Sequence, residues 1–532
     1  MQIPDLVEIL LKNRGLTSPV SVSEFLSPSD PLRLPVSAAG WTDTQLSSAL
    51  KLVDQHLAAG NKIAVYGDYD VDGITSAAIL WETLYRFSKS VFPHIPHRRQ
   101  EGYGLTRAGI DHCLEQGAKL ILTADSGITA GEEIAYCRSR GCDVIVIDHH
   151  QPPDELPQPN VLLFSTATSA AGLSWFFARE ILSARHQDIR IAAELLSFCA
   201  VSVICDLVPL LGINRSFAKF GLSALNTTNR PGLLALFVQS GISPGHIGSY
   251  EVGFIIGPRL NAMGRLEHAL DSLRLLCTTD PARALSLAKT LNDTNVLRQD
   301  LTVQSVETAV SSLNKSDIPA VILVSDTKFN EGIIGLVAAK LVEEFYRPAL
   351  VVSVGEHLSK GSGRSVPGFH LTDFLRHNSD YLQSVGGHEM AAGFSLLTSD
   401  LDKFIAQISH SAELVDTSGF VRTERIDAEI PIALVGDKLY QQIKEFAPFG
   451  LGNPRPVFLS RHVPIAFPKR IGRDMSHLKF SAAGIDAIYF RAPPDLSLPV
   501  TLDRLVYSVD QNTFNGLSRL QLYIKKINGS AS

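Results

Sequence analysis

Three apolar segments in the first third of the chain each end on an aspartate, and this repetition restricts the possible folds more than any other feature. Residues 62–76 read KIAVYGDYDVDGITS and contain Asp68, Asp70 and Asp72, LILTAD ends on Asp125, and VIVID ends on Asp148. Helix-type segments alternate with these strands, a pattern typical of βαβ units and of a parallel sheet covered on both faces. Ligands of such sheets bind beyond the carboxyl ends of the strands. The segments therefore predict an acidic site at one edge of a parallel sheet.

Carboxylates at this density predict a bound cation. Like charges about 4–6 Å apart raise one another's pKa unless a positive charge lies among them. A solvated acidic turn is the alternative for Asp68, Asp70 and Asp72, but residues i and i+2 of an extended segment share a face. Hard oxygen ligands together with the imidazole of His149 suit Mn²⁺ or Mg²⁺ better than zinc or copper.

Two further residues extend this hypothesis. His149 and His150 are adjacent, so in an extended conformation they point to opposite sides and only one easily binds the same metal. The other is available to donate a hydrogen bond to a phosphoryl oxygen. Asp206 follows an apolar helical run, and a buried carboxylate requires a partner. The partner is either a metal, a helix end or a paired basic group.

Composition limits the class of protein. The 532 residues predict three or four domains at about 150 residues each. Hydrophobic residues make up 45% and charged residues 19%, which is typical of a packed globular protein. The net charge of −6 provides no global basic field, so any nucleic-acid surface is local. Six cysteines without a CxxC pair argue against a zinc or disulfide scaffold and favour a reducing cytoplasm. No apolar tract reaches the roughly 20 residues of a membrane span, so we expect a soluble protein.

Changes in the pattern of helix-type and strand-type segments along the chain predict its domain organisation. Residues 1–40 contain a short helix and a Ser/Pro-rich arm, and residues 41–280 hold the strand and helix alternation followed by helices. A long helix begins at Asp280-Pro281 and connects to a second, smaller α/β domain at residues 316–415. Short alternating segments in residues 420–532 predict a small antiparallel barrel.

Polar segments outside the acidic cluster are candidates for substrate contacts. In the loop KGSGRS, glycines would let backbone amides approach an anion, with Ser362, Arg364 and Ser365 as donors; an ordinary flexible loop is the alternative. In GPRLNAMGR, we consider both contacts with a nucleic-acid backbone and a structural turn with one salt bridge. In the barrel, aromatic residues are candidates for base stacking or core packing, and basic residues are candidates for a phosphate track; these are Phe480, Tyr489, Phe490, Tyr507, Lys469, Arg470, Arg473 and Lys479.

The motifs resemble a known superfamily when they are taken together. GDYDVDGITS, ADSG, DHH and CDLVPL occur in the order of the four motifs of the DHH phosphoesterases, and the segment with GGHEMAAG resembles the DHH-associated substrate domain. More narrowly, PHRRQEGYGL, GPRLNAMGR, LNDTNVLRQ, EGIIGLVAAKLVE, GSGRS and APFGLGNPRPVF resemble the RecJ family. The resemblance covers nearly the whole chain. It implies a DHH domain at 41–280, a connecting helix at 281–315, a DHH-associated domain at 316–415 and an OB-like nucleic-acid-binding barrel at 420–532.

The resemblance also implies roles for individual residues. A two-metal centre (Mn²⁺ or Mg²⁺) would use the ligands Asp70, Asp72, Asp125, His149 and Asp206, with Asp125 bridging. Supporting or catalytic roles would belong to Asp68, Asp148, His150 and His388, although His388 has the alternative of capping a following helix. Substrate contacts would come from Arg98, Ser362 and Arg364 at a 5′-phosphate and from Arg259, Asn261 and Arg265 along the strand. Tyr66 lies where many superfamily members have a metal-binding histidine, which puts the affinity of the first metal in question.

The implied activity is single-strand-specific 5′→3′ exonuclease action on DNA, releasing 5′-mononucleotides by two-metal hydrolysis in repair and recombination. The implied setting is a monomer that acts on a 5′-ended single strand together with a helicase and a single-strand-binding protein. Two alternatives are a phosphodiesterase of short oligonucleotides or cyclic dinucleotides and a non-catalytic replication factor. The barrel argues against the first alternative, and the complete acid set argues against the second.

Overall fold

The structure is a computed structural model that describes residues 3–98, 100–472, 474–514 and 517–527. The helices, in chain order, are α1 Ile3–Lys12, α2 Pro19–Leu26, α3 Asp43–Ala58, α4 Val71–Tyr85, α5 Arg107–Glu115, α6 Gly131–Ser139, α7 Ala170–Ala184, α8 Arg190–Cys205, α9 Gly212–Asn226, α10 Pro231–Ser240, α11 Ser249–Glu251, α12 Gly257–Leu266, α13 Leu270–Cys277, α14 Pro281–Ser311, α15 Ile334–Phe345, α16 Leu371–His377, α17 Leu401–Glu413 and α18 Asp437–Glu445.

The strands form three sheets. In chain order they are β1 Lys62–Tyr66, β2 Val91–His94, β3 Ala118–Ala124, β4 Asp143–Asp148, β5 Val161–Phe164, β6 Ile322–Asp326, β7 Ala349–Ser353, β8 Leu358–Arg364, β9 Leu382–His388, β10 Ala391–Leu397, β11 Ala428–Glu429, β12 Val457–Ile471, β13 His477–Ala482, β14 Ile485–Tyr489, β15 Thr501–Phe514 and β16 Leu517–Ile527. The described chain divides into two compact units. Unit 1 comprises Met1–Gly257, Leu273–Ala284 and Glu424–Ser532, and unit 2 comprises Pro258–Ser272 and Leu285–Thr423.

The first sheet of unit 1 is parallel and has the order β2-β1-β3-β4-β5. Its central strands are buried runs such as Ile63–Val65 and Ile145–Ile147, as expected when helices cover both faces. The predicted α/β parallel-sheet domain is therefore confirmed. Because β1, β3 and β4 are immediate neighbours, the residues after their carboxyl ends lie side by side.

The second sheet of unit 1 is the barrel. Its order is β11-β12-β13-β14-β16-β15, and a β12–β15 pairing closes it. The predicted barrel is thus present, but it is not purely antiparallel, because β14 pairs in parallel with β16 and β11 in parallel with β12. Helix α1 places Leu6, Leu10 and Leu11 in the same hydrophobic cluster as the barrel strands. The N-terminal arm is therefore part of the barrel core.

Unit 2 contains a mixed sheet of order β6-β7-β8-β10-β9, in which only the β6–β7 pair is parallel. The prediction that KGSGRS is a loop is wrong, since residues 360–364 lie in β8 and pair with β7 on one side and β10 on the other. Gly361 is required by packing, because a Cβ there would lie 2.1 Å from the Phe394 ring.

The long helix α14 contains 31 residues, which corresponds to about 46 Å at 1.5 Å per residue. Its first turn begins with Pro281 after the Asp280 side chain, which accepts a hydrogen bond from the Ala282 amide. The unit boundary falls within this helix, between Ala284 and Leu285. Among the described residues, no helix combines the length and apolar character that crossing a membrane requires.

Candidate metal centre

The parallel sheet brings the predicted acids together at its carboxyl edge. Asp68 follows β1, Asp125 follows β3, and Asp148 is the last residue of β4. Asp70 caps α4 by accepting a hydrogen bond from the Gly73 amide at 3.1 Å, and Asp72 lies in the first turn of that helix. Asp125 has a φ of 68°, a left-handed conformation that aspartate tolerates better than most residues. The backbone thus turns sharply where this carboxylate is presented.

Asp72 is held by the N-terminus of α7. Its two carboxylate oxygens accept hydrogen bonds from the amides of Ala170 and Ala171, both at 2.8 Å. The Ser202 hydroxyl donates to the same carboxylate at 2.7 Å. These three hydrogen bonds fix the orientation of the Asp72 carboxylate.

His149 points its Nε2 atom at three carboxylates. The distances are 3.2 Å to Asp125 Oδ1, 3.3 Å to Asp72 Oδ2 and 3.6 Å to Asp206 Oδ2. None of these contacts has hydrogen-bond geometry, so the buried Nε2 has no hydrogen-bond partner among the described residues. Asp206 reaches the group from the C-terminal end of α8. An imidazole nitrogen surrounded by carboxylate oxygens is the arrangement of ligands around a cation.

A second group contains Asp68, Asp70 and Asp125, with one oxygen of each carboxylate within 4.8 Å of the others. Both oxygens of Asp68 and Oδ1 of Asp125 are buried and have no hydrogen-bond partner in the described part of the chain. Burial and the charge of Asp70 raise the pKa of Asp68 to about 8, and burial and Asp72 raise the pKa of Asp125 well above its ordinary value. Burial and Asp72 likewise raise the pKa of Asp206 to about 8. Unpartnered, mutually repelling oxygens of this kind fit a site for hard divalent cations.

Asp148 and His150 form a supporting pair beside these groups. Asp148 Oδ1 accepts hydrogen bonds from the His149 amide at 2.7 Å and from His150 Nδ1 at 2.7 Å, and its other oxygen accepts one from the Ile128 amide at 2.9 Å. Burial alone would raise the pKa of Asp148, but the His150 and backbone hydrogen bonds outweigh it and lower that pKa. With its oxygens so engaged, Asp148 orients the two histidines.

Tyr66, the residue at the position of the superfamily histidine, lies in the hydrophobic core. It is fully buried, its hydroxyl donates to the Gly104 carbonyl at 3.1 Å, and its ring packs at 4.7 Å from that of His94. The nearby Gly109 has no room for a Cβ because of this ring. The tyrosine therefore fixes the segment around Gly104.

The predicted phosphate-contacting residues lie in both units. In unit 1, the Arg98 guanidinium lies 5.0 Å from the centre of the Tyr69 ring. In unit 2, Ser362 and Arg364 share one face of β8, and Arg364 donates to the Gly363 carbonyl at 2.8 Å. The Ser365 hydroxyl donates to the Phe369 carbonyl at 2.7 Å. The amides of Gly361 and Gly363 lie in a strand paired on both sides, so the sequence-based expectation that they approach an anion is wrong.

The segment GPRLNAMGR forms helix α12, so the alternative of a structural turn is wrong. Arg259 donates to the Asn292 side chain at 3.1 Å and Arg265 to the Gly332 carbonyl at 3.2 Å, while Asn261 is half-buried on the same helix. His388, at the end of β9, is exposed and is followed by a strand rather than a helix. Its alternative role as a helix cap is therefore wrong as well.

The aromatic residues of the barrel differ in their exposure to solvent. Phe480 and Tyr507 are buried in the core, whereas Phe490 is 49% exposed and stacks against Tyr523 at 6.1 Å and 24°. Arg470 donates to the carbonyls of Ala492 and Pro494, and Lys479 pairs with Asp486 at 3.2 Å. Lys469 is exposed and Tyr489 half-buried, and Arg473 lies outside the described residues.

Sequence reasoning missed Tyr103, whose hydroxyl lies 2.9 Å from His150 Nε2, and Ser202, which holds Asp72. A signal for Tyr103 was available in GYG, because glycines on both sides with φ of 95° and 69° turn the chain around an aromatic residue. Nothing distinguishes Ser202 from other serines of an apolar helix.

Comparison with known proteins agrees with this geometry. The DHH family N-terminal domain matches residues 62–203, the DHHA1 domain matches residues 301–413, and the RecJ OB domain matches residues 426–526. Acids and histidines at the edge of a parallel sheet, within a DHH match, define a DHH-type phosphoesterase carrying a second α/β domain and an OB barrel.

Similarity to individual proteins identifies the family within the DHH-type phosphoesterases. The chain is 32% identical to the single-stranded-DNA-specific exonuclease RecJ of Bacillus subtilis over 99% of the chain and 68% of that relative. It is 29% identical to the Escherichia coli protein of the same name over 99% of the chain and 96% of that relative. The solved structure of Thermus thermophilus RecJ in complex with Mn²⁺ superposes with a TM-score of 0.85 at 28% identity, covering 99% of this chain and 76% of that one. The chain belongs to the RecJ family.

Proposed function

We propose that this protein is a single-stranded-DNA-specific 5′→3′ exonuclease that hydrolyses the terminal phosphodiester and releases 5′-mononucleotides. The observation that carries the proposal is the cluster at the edge of the parallel sheet. There, His149 Nε2, both oxygens of Asp68 and Oδ1 of Asp125 are buried and have no hydrogen-bond partner within the described residues. Membership in the RecJ family makes the chain a metal-dependent exonuclease.

Two divalent ions, Mn²⁺ or Mg²⁺, would be held by Asp70, Asp72, Asp125, His149 and Asp206. Bound there, they would supply Lewis-acid activation of water and neutralisation of the scissile phosphate. Among the described residues there are three groups of potential ligands: Asp72, His149 and Asp206; Asp68, Asp70 and Asp125; and Asp125, His149 and His150. The first two groups share no residue, which supports two ions. Asp68 belongs to the group with Asp70 and Asp125, and we propose it as a further oxygen donor there, because neither of its oxygens has a hydrogen-bond partner among the described residues. Asp148 orients His149 and His150 through the hydrogen bonds described above.

We propose that direction is set by recognition of a 5′-phosphate. Ser362 and Arg364, which share one face of β8, are the proposed contacts within unit 2. Within unit 1, Arg98 is proposed separately as a phosphate contact. Paired guanidinium and hydroxyl donors are well suited to a phosphate dianion. Arg259, Asn261 and Arg265 on α12 are the proposed contacts with the backbone of the strand, and the exposed His388 is a proposed donor to a phosphate of the substrate.

The barrel would bind the single strand beyond the site of cleavage. Exposed Phe490 beside Tyr523, with Lys469 and Lys479 on neighbouring strands, supports stacking of bases and contact with phosphates. We place the enzyme in the cytoplasm, as a monomer in DNA repair and recombination, where a helicase and a single-strand-binding protein would supply its substrate.

The test uses matched DNA strands labelled at either the 5′ or the 3′ end, together with a blunt duplex, incubated with Mn²⁺ or Mg²⁺. We expect immediate release of 5′-labelled mononucleotide from the single strand and little release from the duplex. Asp125→Asn should lower the rate about a hundredfold to a thousandfold, because it weakens a proposed ligand of the ions that would stabilise charge in the transition state. Release of the 3′ label first, or equal rates for wild type and Asp125→Asn, would refute the proposal. Preferential cleavage of dinucleotides over long strands would favour the small-substrate phosphodiesterase instead.

The 5′-phosphate contact has a separate test. Arg364→Ala should lower the rate on 5′-phosphorylated strands about tenfold or more, because a charge-assisted hydrogen bond is lost, and should change the rate on 5′-hydroxyl strands little. Arg376→Ala, an exposed arginine of the same unit beside Asp373, serves as the control. Equal losses on both kinds of end would show that Arg364 acts in some other way.

A further inference from the structure

Tyr103 contacts the outer edge of His150. The Tyr103 hydroxyl lies 2.9 Å from His150 Nε2, and His150 Nδ1 lies 2.7 Å from Asp148 Oδ1. A ring nitrogen that faces a carboxylate carries a proton, and a tyrosine hydroxyl can serve Nε2 either as donor or as acceptor. The imidazole is therefore held at both nitrogens, by a buried carboxylate on one side and by a tyrosine on the other.

Tyr103 is 56% exposed, yet the segment that carries it is fixed. Glu101 accepts hydrogen bonds from the His97 amide at 2.8 Å and contacts His94 Nε2 at 3.0 Å. On the other side, the Gly104 carbonyl accepts the Tyr66 hydroxyl at 3.1 Å. An exposed side chain that extends from a backbone anchored on both sides is suited to positioning a neighbour rather than to filling a core.

The ring of Tyr103 is also supported laterally. It packs edge to face with Tyr69 at 6.0 Å and 72°, and Arg98 lies over the other ring of this pair. The contacts of Tyr69 and Tyr103 extend from Arg98 to His150. They explain how the hydroxyl of an exposed tyrosine keeps its place.

We propose that Tyr103 is a positioning residue for the reaction, and that its hydroxyl fixes the orientation of the His150 ring at the metal centre. The proposal rests on the proposed nuclease function. Without the hydroxyl, the His150 ring loses its contact at Nε2 and is held by the Asp148 hydrogen bond and by packing against His149, which leaves its orientation less restricted. Loss of a group that orients a residue beside a metal typically costs about 10–100-fold in activity. Tyr103→Phe should therefore lower kcat about tenfold with little change in KM.

Coupling to His150 separates positioning from general structural support. Tyr103→Phe, His150→Gln and the double variant form a thermodynamic cycle. If Tyr103 acts through His150, adding Tyr103→Phe to His150→Gln should cost nothing further. Tyr136→Phe is the control. It removes a hydroxyl that donates to Asp111 at 2.6 Å and takes no part in the acidic cluster, so it should retain wild-type kcat. Additive losses, or full activity of His150→Gln, would overturn the proposal.

A second measurement does not depend on activity. In ¹⁵N-histidine-labelled protein kept in EDTA, the His150 signals are identified by their loss in His150→Gln. Tyr103→Phe should shift the His150 Nε2 resonance and leave the His56 resonances unchanged, because His56 is bonded to Asp143 and Asn61. Unchanged His150 resonances would refute the contact. If the wild type has no nuclease activity, the proposed function fails, and this measurement alone decides whether Tyr103 holds His150.

Discussion

At the scale of single residues, the acids of the centre occupy an environment that opposes their ionisation. Asp68 and Asp206 each have a pKa raised to about 8 by burial, reinforced by neighbouring aspartates. In the unfolded chain these carboxyls titrate near 3.8. Folding without a cation therefore retains protons that the unfolded chain has released. Binding a divalent ion removes this cost.

The stability of the metal-free protein should fall as pH rises from about 4 to about 8. Between roughly pH 4 and pH 8, the unfolded state binds fewer protons than the folded state, so stability falls as pH rises. We expect the melting temperature of EDTA-treated protein to be lower at pH 8.5 than at pH 6.5. Saturating Mn²⁺ should raise it, with the larger increase at pH 8.5, because the ion binds the ionised folded form. Thermal unfolding followed by circular dichroism measures both effects.

Two variants control this prediction. Asp206→Asn removes one of the responsible carboxylates at nearly constant volume and should flatten the pH dependence in EDTA. Asp188→Asn removes an exposed acid that pairs with Arg190 and should leave the slope unchanged. The same slope in wild type and Asp206→Asn would contradict the assignment.

The sequence predicted which acids gather, because the ends of parallel strands fix their edge of the sheet. The period-2 argument for an extended segment is wrong, since Asp70 and Asp72 lie at the start of helix α4. The sequence did not predict what holds the acids. Ser202 and the amides of Ala170 and Ala171, which engage Asp72, lie at least 98 residues away along the chain. Tyr66 shows the same limit, since only packing reveals that its hydroxyl bonds to Gly104.

At the scale of elements, strand β8 shows that a glycine in a sequence can indicate either a flexible loop or a tightly packed strand. Gly361 and Gly363 suggested a flexible loop, but their missing side chains make room for Phe394 and for Leu350 and Leu371. Local composition cannot distinguish these cases, because the neighbours come from other strands and from α16. The β-pairing of Lys360–Arg364 is thus determined by tertiary packing.

Gly361→Ala should destabilise unit 2. Its Cβ would lie 2.1 Å from the buried Phe394 ring, and overpacking of this kind typically costs about 1–3 kcal/mol. Gly393→Ala on the neighbouring strand β10 has nothing within 4 Å of the new Cβ and is the matched control. Urea unfolding measures both variants. Equal stability of the two would mean that Phe394 moves aside without cost.

The barrel gives a second prediction at this scale. Phe490→Ala removes an exposed ring and should weaken binding of long single strands by about 1–3 kcal/mol per stacked base, while leaving the unfolding free energy nearly unchanged. Phe480→Ala removes a core ring and should cost about 3–5 kcal/mol of stability. Fluorescence anisotropy with strands of increasing length, together with urea unfolding, distinguishes the two. Unaltered affinity of Phe490→Ala for every length would exclude this ring from the DNA-binding surface.

At the scale of the whole molecule, unit 1 is assembled from distant parts of the chain. Arg215 on α9 is almost fully buried and donates to the carbonyls of Phe25 and Ala447, so it joins the N-terminal arm, the parallel-sheet domain and the segment that precedes the barrel. Its guanidinium lies 3.8 Å from the centre of the Phe25 ring. Burial lowers the pKa of Arg215 to about 10, so the group stays charged at neutral pH.

Arg215→Met keeps the length of the side chain but removes its donors. Buried carbonyls left without a donor cost about 1–3 kcal/mol each, so we expect unit 1 to lose several-fold more stability than with Arg190→Met, a change at an exposed arginine. Limited proteolysis should also release the N-terminal arm more readily. Intact protection of that arm in Arg215→Met would show that its other contacts, such as the hydrogen bonds of Arg179 to the Pro31 and Leu34 carbonyls, hold it without Arg215.

The sequence predicted the parallel-sheet domain, the second α/β domain and the barrel, because the spacing of hydrophobic residues differs between helices and strands and changes along the chain. Two features of the barrel could not be predicted from the sequence and are known only from the structure. The parallel pairing of β14 with β16 depends on strand order rather than on alternation. The presence of α1 in the barrel core joins Leu10 to Leu439 and Phe458, across more than 400 positions of the chain, and no local signal reports such a contact.

The left-handed backbone of Asp125 has a practical consequence for capturing the enzyme on DNA. At a φ of 68° most side chains are strained, so Asp125→Ala would change the backbone as well as remove the proposed metal ligand. Asparagine accepts this conformation readily and keeps the shape of the carboxylate without its charge. Asp125→Asn is therefore the preferred catalytically silent form for crystallising or imaging the protein with an uncut strand in place.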